Sequence, residues 1–246
     1  MKYDEIDYKI HGHDSQYVNI ELDPHESIIA EAGAMLAMDE GIKLTTIFGN
    51  GSYDSGIFGN LASVGKRLIT GEGLCLTLFT NKSDEKKTVC FTGPYMGKII
   101  PINLQNHNSQ FICQKDAFLC AARGVAIGIH FQKKLLTGMF GGEGFIMQKL
   151  EGNGMAFLHA GGAIYPRNLK AGETLVVASG SIVAFEASVS FSIKLVGGLK
   201  SALFAKEGLF LSKLTGPGKI ILQSMSFASL SEQVIAKSGI LDQVKK

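Results

Sequence analysis

The feature that most constrains this 246-residue sequence is that it repeats itself. The segment EGFIMQKLEGNG at 143–154 returns as EGLFLSKLTGPG at 207–218, which is 64 residues later. Without a gap, the same offset superposes two pairs of apolar runs: 111–113 on 175–177, and 118–120 on 182–184. Matching segments at a fixed offset indicate a fold built from equivalent units.

A third copy lies upstream, where EGLCL at 72–76 matches the start of both segments. Glu72 precedes Glu143 by 71 residues, whereas the apolar run 28–30 precedes its match at 111–113 by 83. The first copy therefore contains 12 additional residues, which fall in the glycine-rich stretch 48–59. We predict that this insertion is either a hairpin extension or a mobile loop.

Within each copy, apolar and polar residues alternate over short runs. Val18, Ile20 and Leu22 alternate with polar residues, and so do Val189, Phe191 and Ile193. This period is typical of half-buried strands, and glycine- or proline-containing turns such as 152–154 and 216–218 separate the runs. We predict about six strands per copy and an all-β chain.

The predicted architecture is one compact body made of three repeats, with boundaries at 1–92, 93–159 and 160–225, followed by a helix and tail at 226–246. Ser229 and Glu232 have the spacing of a capping box, in which two side chains satisfy free backbone donors at a helix start. We therefore expect a short helix from Leu230 to Ser238.

Composition narrows the function classes. Lys and Arg number 24 against 22 Asp and Glu, a net charge of +2, which makes nucleic acid an unlikely partner. The mean hydropathy of +0.18 is high for a monomer and favours self-association into a trimer or another homo-oligomer. The sequence contains no run of about 18 consecutive apolar residues, so we predict no membrane-spanning helix. The polar N-terminus lacks a secretory signal, and we expect a cytoplasmic protein.

The four cysteines have no metal-clamp spacing, and we expect buried, reduced thiols: Cys75, Cys90, Cys113 and Cys120.

Residues 60–67 lack the glycine and hydroxyl of a phosphate loop, so no cofactor is predicted. The spacing of His11 and His13 predicts that both imidazoles lie on one face of a strand, where they could ligate a metal. No third ligand is evident, and we expect no metal to bind. Since no nucleophile signature is present, no catalytic residue is assigned.

The most notable polar residues are the repeated glutamates Glu72, Glu143 and Glu207. If the units surround a pseudo-threefold axis, the three carboxylates could converge and bind a cation or an amine. In the alternative interpretation, which we favour, each glutamate caps its own turn or faces water.

Several segments together resemble one family. They are Glu31 to Met35 (EAGAM), the three EG-apolar segments, Gly216-Pro217-Gly218, and Leu222-Gln223-Ser224 before a short helix. The sequence is similar to the altered-inheritance-of-mitochondria family, whose bacterial members are largely uncharacterised. That resemblance implies a tryptophan-RNA-binding-attenuator-like fold, a short double-stranded β-helix, in three copies. It does not carry RNA binding over, since no equivalent basic and aromatic set is present.

We hypothesise a non-catalytic β-rich binding or scaffolding protein that self-associates. One alternative is a small-molecule or nucleic-acid sensor that uses clefts between the units. A second alternative is an enzyme that uses His159 or the three glutamates.

Overall fold

The computed structural model describes residues 5–48, 75–133, 144–195 and 210–238. In these ranges the chain is all-β apart from short 3-10 turns and one helix, α1 (Phe227–Ser238). The first seven strands are β1 (Asp7–His11), β2 (Tyr17–Leu22), β3 (Ser27–Glu31), β4 (Met35–Met38), β5 (Ile42–Phe48), β6 (Cys75–Asn81) and β7 (Lys87–Thr92). The next six are β8 (Gly97–Asn103), β9 (Gln110–Gln114), β10 (Phe118–Ala122), β11 (Ala126–Lys133), β12 (Phe145–Glu151) and β13 (Met155–Gly161). The last six are β14 (Ile164–Leu169), β15 (Thr174–Ala178), β16 (Ile182–Glu186), β17 (Ser190–Leu195), β18 (Phe210–Thr215) and β19 (Gly218–Gln223).

The described strands pair into four antiparallel sheets. Sheet A has the order β1-β2-β7-β4, and sheet D has the order β15-β18-β17. Between them, sheet B runs β5-β6-β3-β10-β13-β8 and sheet C runs β11-β12-β9-β16-β19-β14. The all-β fold class predicted from the alternating runs is therefore confirmed.

The alternation in the sequence becomes burial in the strands. In β2, Val18, Ile20 and Leu22 are fully buried while the residues between them keep partial exposure. Successive side chains of a strand point to opposite faces, so a period of two places one face against the core. The central strands β3 and β10 are apolar on both faces because sheet B is covered on both sides there.

Sheets B and C pair their strands at the offsets seen in the sequence. Ala30 is opposite Cys120 in sheet B. Cys113 is opposite Ala184 in sheet C. The two pairs are related by 83 residues on one strand and 64 on the other. Strands with these offsets are called equivalent below; the three repeat boundaries themselves stay a prediction.

A polar cross-strand pair recurs at equivalent places in three sheets. The Ser27 and Thr80 hydroxyls lie 2.9 Å apart in sheet B. In sheet C the Gln110 amide donates to Glu151 at 2.9 Å. In sheet D the hydroxyls of Thr174 and Thr215 lie 3.0 Å apart. Such directly opposed pairs stabilise strand register.

The C-terminal helix begins earlier than the sequence predicts. The Ser226 hydroxyl accepts from the Ser229 backbone N–H at 3.1 Å, so Ser226 caps the helix and the predicted cap at Ser229 is wrong. Helix formation can start there because Ser226 is also a hydroxyl residue and Phe227 packs against Tyr95, with 5.7 Å between ring centroids. Among the described residues, no helix has the length and apolar character that crossing a bilayer requires.

Candidate binding cavity and open strand edges

A cavity of about 310 Å³ lies where the turn between β3 and β4 meets β10, β13 and α1. Its walls include the aromatic rings of Tyr95, Phe118 and Phe227. The carboxylates of Glu31 and Asp116 also line it. The cavity thus combines aromatic walls with acidic groups at the β3–β10 junction.

His159 lines this cavity from strand β13 and is 2% exposed. Both ring nitrogens are buried, and neither has a hydrogen bond of good geometry to a described residue. Its ring packs edge-on against Tyr95 at 4.7 Å between centroids. Burial lowers the pKa of His159, and a weak hydrogen-bonding contact with the Tyr95 backbone partly opposes this lowering. The imidazole is therefore neutral at pH 7.

Gln223 occupies the equivalent place in strand β19, and its environment is different. Its side-chain carbonyl accepts from the Gly161 backbone N–H at 2.8 Å. Its amide donates to the Gly180 carbonyl at 3.0 Å. The two equivalent residues therefore differ: Gln223 has both polar side-chain atoms paired, whereas neither nitrogen of His159 has a hydrogen bond of good geometry.

Tyr95 joins the cavity to the helix. Burial raises the pKa of the Tyr95 hydroxyl, and the charge of Asp116 raises it further. A hydrogen bond from the Phe227 backbone opposes this shift. The influence of Asp116 on Tyr95 indicates a negative potential on this side of the cavity.

Two strand edges form a second candidate site. The edge strand β4 of sheet A exposes Met35, Leu36 and Met38, the second of these at 54%. The edge strand β15 of sheet D exposes Val176 at 57%. Apolar side chains on an unpaired edge are a surface on which another strand can add.

The three repeated glutamates cannot be located. Glu72, Glu143 and Glu207 all lie outside the described residues, and so do residues 49–59 of the glycine-rich insertion. Their convergence stays a hypothesis, as does the role of the insertion.

The histidine pair near the N-terminus is not arranged as the sequence suggested. His11 ends β1 and stacks on Tyr17, with 4.9 Å between centroids, whereas His13 lies in the following turn. The prediction that both imidazoles share one strand face is wrong, because the strand stops before Gly12, which has a φ of 88°. Within the described ranges, no group of three His, Cys, Asp or Glu residues could hold a metal ion.

All four cysteines are free thiols, but they are not uniformly buried. Cys113 and Cys120 are buried, Cys90 is partly buried, and Cys75 is exposed. The expectation of buried thiols is therefore wrong for Cys75, which opens strand β6. Burial raises the pKa of Cys113 and of Cys120, so neither is a reactive thiolate.

The fold defines an all-β class of protein, in which the described strands form four antiparallel sheets. A family model described as "Mitochondrial biogenesis AIM24" matches residues 8–225, and the chain belongs to that family. This finding confirms the resemblance noted from the sequence.

Protein SPYM3_0169 from Streptococcus pyogenes, solved by X-ray crystallography, has a similar fold. Its TM-score is 0.74 at 20% identity, over 94% of this chain and 99% of that chain. At this identity the likeness concerns the fold alone. None of the curated proteins matches this chain.

Proposed function

We propose that this protein is a non-catalytic β-rich scaffold that associates head to tail, with β15 of one copy pairing with β4 of the next. The observation that carries the proposal is the order of the strands. β3 pairs with β10, and the equivalent β9 pairs with β16. β15 and β4 are the remaining members of these two series, and each is a sheet edge among the strands that the structure describes.

We call the pairings of β3 with β10 and of β9 with β16 the internal junctions. Burial of side chains at these junctions supports the proposed pairing of β15 with β4. Leu36 is 54% exposed on β4, whereas its equivalents in the junction strands, Leu119 and Val183, are 2% and 0% exposed. Val176 is 57% exposed on β15, and its equivalent Ile112 is 0% exposed. The side chains at the open edges are thus of the kind that the junctions bury, and burying them favours association.

The edges also share the local geometry of the junction strands. A register shift, indicating a β-bulge, interrupts the ladder between Met35 and Ala37. Equivalent shifts occur after Phe118 and after Ile182. A bulge increases the twist of its strand, so β4 has the bend of the strands that pair across a junction.

The internal registers specify how two copies would pair. Ala121 is opposite Ile29, and Phe185 is opposite Ile112. By equivalence, Met38 of one copy would lie opposite Val176 of the next. Contacts of this heterologous type generate rings when the rotation closes and filaments when it does not.

Light scattering on edge variants tests the proposal. We expect the wild type to have a mass that is a multiple of 26.4 kDa. Met38→Lys or Val176→Lys should give monomers, because a charge facing the paired strand opposes strand addition. The matched control is Met96→Lys, which changes a methionine that is 63% exposed in the turn between β7 and β8, belongs to neither edge strand and should keep the wild-type mass. A monomeric wild type at all concentrations would overturn the proposal.

A further inference from the structure

We propose that the cavity beside His159 is a binding site for a small organic cation, with an aromatic or apolar body and one ammonium group. The described residues that line this cavity include none from the edge strands β4 and β15, and the proposal does not depend on assembly. The argument rests on the size of the cavity, the charges that line it, and its aromatic and neutral walls.

The volume and the lining of the cavity limit the size and the chemical character of the apolar part of the ligand. About 310 Å³ is at the lower end of the range for small-molecule sites, roughly 300–1,000 Å³. Leu119 and Phe118 form part of the wall from strand β10, and Tyr95 and Phe227 add two more rings. Such walls favour a single aromatic ring or a short branched alkyl group.

The charged residues that line the cavity indicate the sign of the charge that a ligand would carry. Glu31 and Asp116 line the cavity, and no lysine or arginine in the described part of the chain is among its lining residues. Asp116 accepts one hydrogen bond from the Gln114 amide at 3.0 Å, which leaves its charge in place. An ammonium group gains both from the carboxylates and from the faces of aromatic rings, whereas an anion is repelled.

His159 adds a neutral imidazole to the wall. Its two nitrogens are buried and have no well-formed hydrogen bond to a described residue, so protonation, which would place a buried charge there, is unfavourable. At the equivalent place Gln223 has two hydrogen bonds to the protein. Because burial keeps this imidazole neutral, it adds no positive charge to the wall that would repel a cation.

Three small molecules of similar shape, whose polar groups differ in charge, test whether the site prefers a cation. Calorimetry or ligand-observed NMR at pH 7.5 would compare 2-phenylethylamine, 2-phenylethanol and phenylacetate. We expect saturable binding of the amine at about millimolar concentration or below, weaker binding of the alcohol, and none of the acid. Equal binding of amine and alcohol would overturn the cation assignment, and absence of saturable amine binding would overturn the site.

Variants locate the binding. Ala32→Phe places a ring at the mouth from an exposed turn residue and should abolish amine binding. Ala171→Phe, in the exposed turn between β14 and β15, is the matched control and should bind as the wild type does. Asp116→Asn should weaken the amine by about 2- to 5-fold and leave the alcohol unchanged. Amine binding that survives Ala32→Phe would place the ligand elsewhere and overturn the site.

Discussion

The imidazole of His159 is held between Tyr95 and a glycine-lined turn. Tyr95 packs edge-on at 4.7 Å between ring centroids. On the turn between β7 and β8, a Cβ atom at Gly93 would overlap the imidazole, and one at Gly97 would lie 2.6 Å from its Nε2 atom. The absence of a side chain at Gly93 is therefore what makes room for the ring.

We expect Gly93→Ala to lower the free energy of unfolding by about 1–3 kcal/mol, because the added methyl group overpacks the site. In a His159→Ala background the same change should cost little, and urea unfolding of the four proteins measures this coupling. Gly128→Ala is the control, since a Cβ there meets nothing within 4 Å. An equal cost of Gly93→Ala in both backgrounds would show that the ring is not what Gly93 accommodates.

Acid should weaken the fold through His159. Burial lowers the pKa of this imidazole below its unfolded value near 6.5. The unfolded chain then binds more protons than the folded chain as the pH falls through 6.5, so stability is present above that pH and is lost below it. Urea unfolding from pH 7.5 to 5 should show a shallower loss for His159→Phe than for wild type. The same change at exposed His13 should leave the slope as it is, and identical slopes for all three would refute this origin.

Replacing Gln223 and His159 by leucine should have opposite effects on stability. Gln223→Leu leaves the buried Gly161 N–H without its partner at 2.8 Å and should cost about 1–3 kcal/mol. His159→Leu removes two unpaired nitrogens and should be nearly neutral or stabilising. Thermal unfolding of the two variants provides the comparison. A large loss for His159→Leu would mean that its nitrogens do have a structural partner.

The four thiols should react with a thiol reagent in a fixed order. Exposed Cys75 should react first and partly buried Cys90 more slowly, since burial raises the pKa of Cys90. Cys113 and Cys120 should react only when the chain unfolds, because both are buried. Mass spectrometry of timed samples would show the order. Early modification of Cys113 would contradict the described packing of strand β9.

The repeat made the strands predictable because equivalent residues occupy equivalent ladder positions. The apolar runs 28–30 and 111–113 both became central strands, β3 and β9, as their shared pattern indicates. The start of α1 was less predictable, since Ser226 and Ser229 offer the same hydroxyl and only the packing of Phe227 on Tyr95 distinguishes them.

The candidate sites could not be predicted from the same pattern. His159 and Gln223 are equivalent in sequence, and only their hydrogen bonds in three dimensions separate an unsatisfied group from a satisfied one. The open edges have a similar origin. The apolar run 35–38 resembles the run 118–121 in sequence, yet among the described strands β4 is a sheet edge, whereas β10 lies inside sheet B. A signal was available, because the first and last members of a linear repeat array lack one neighbour.

Disulfide trapping between copies tests the central claim most directly. In a Cys75→Ser background, Met38→Cys and Val176→Cys should form a disulfide when the two single variants are mixed and oxidised, because directly opposed strand residues have Cβ atoms about 4.5–5.5 Å apart. Non-reducing electrophoresis should show dimers from the mixture, none from either variant alone, and a ladder from the double variant. A double variant that forms its disulfide only within one chain, or no disulfide at all, would contradict head-to-tail assembly.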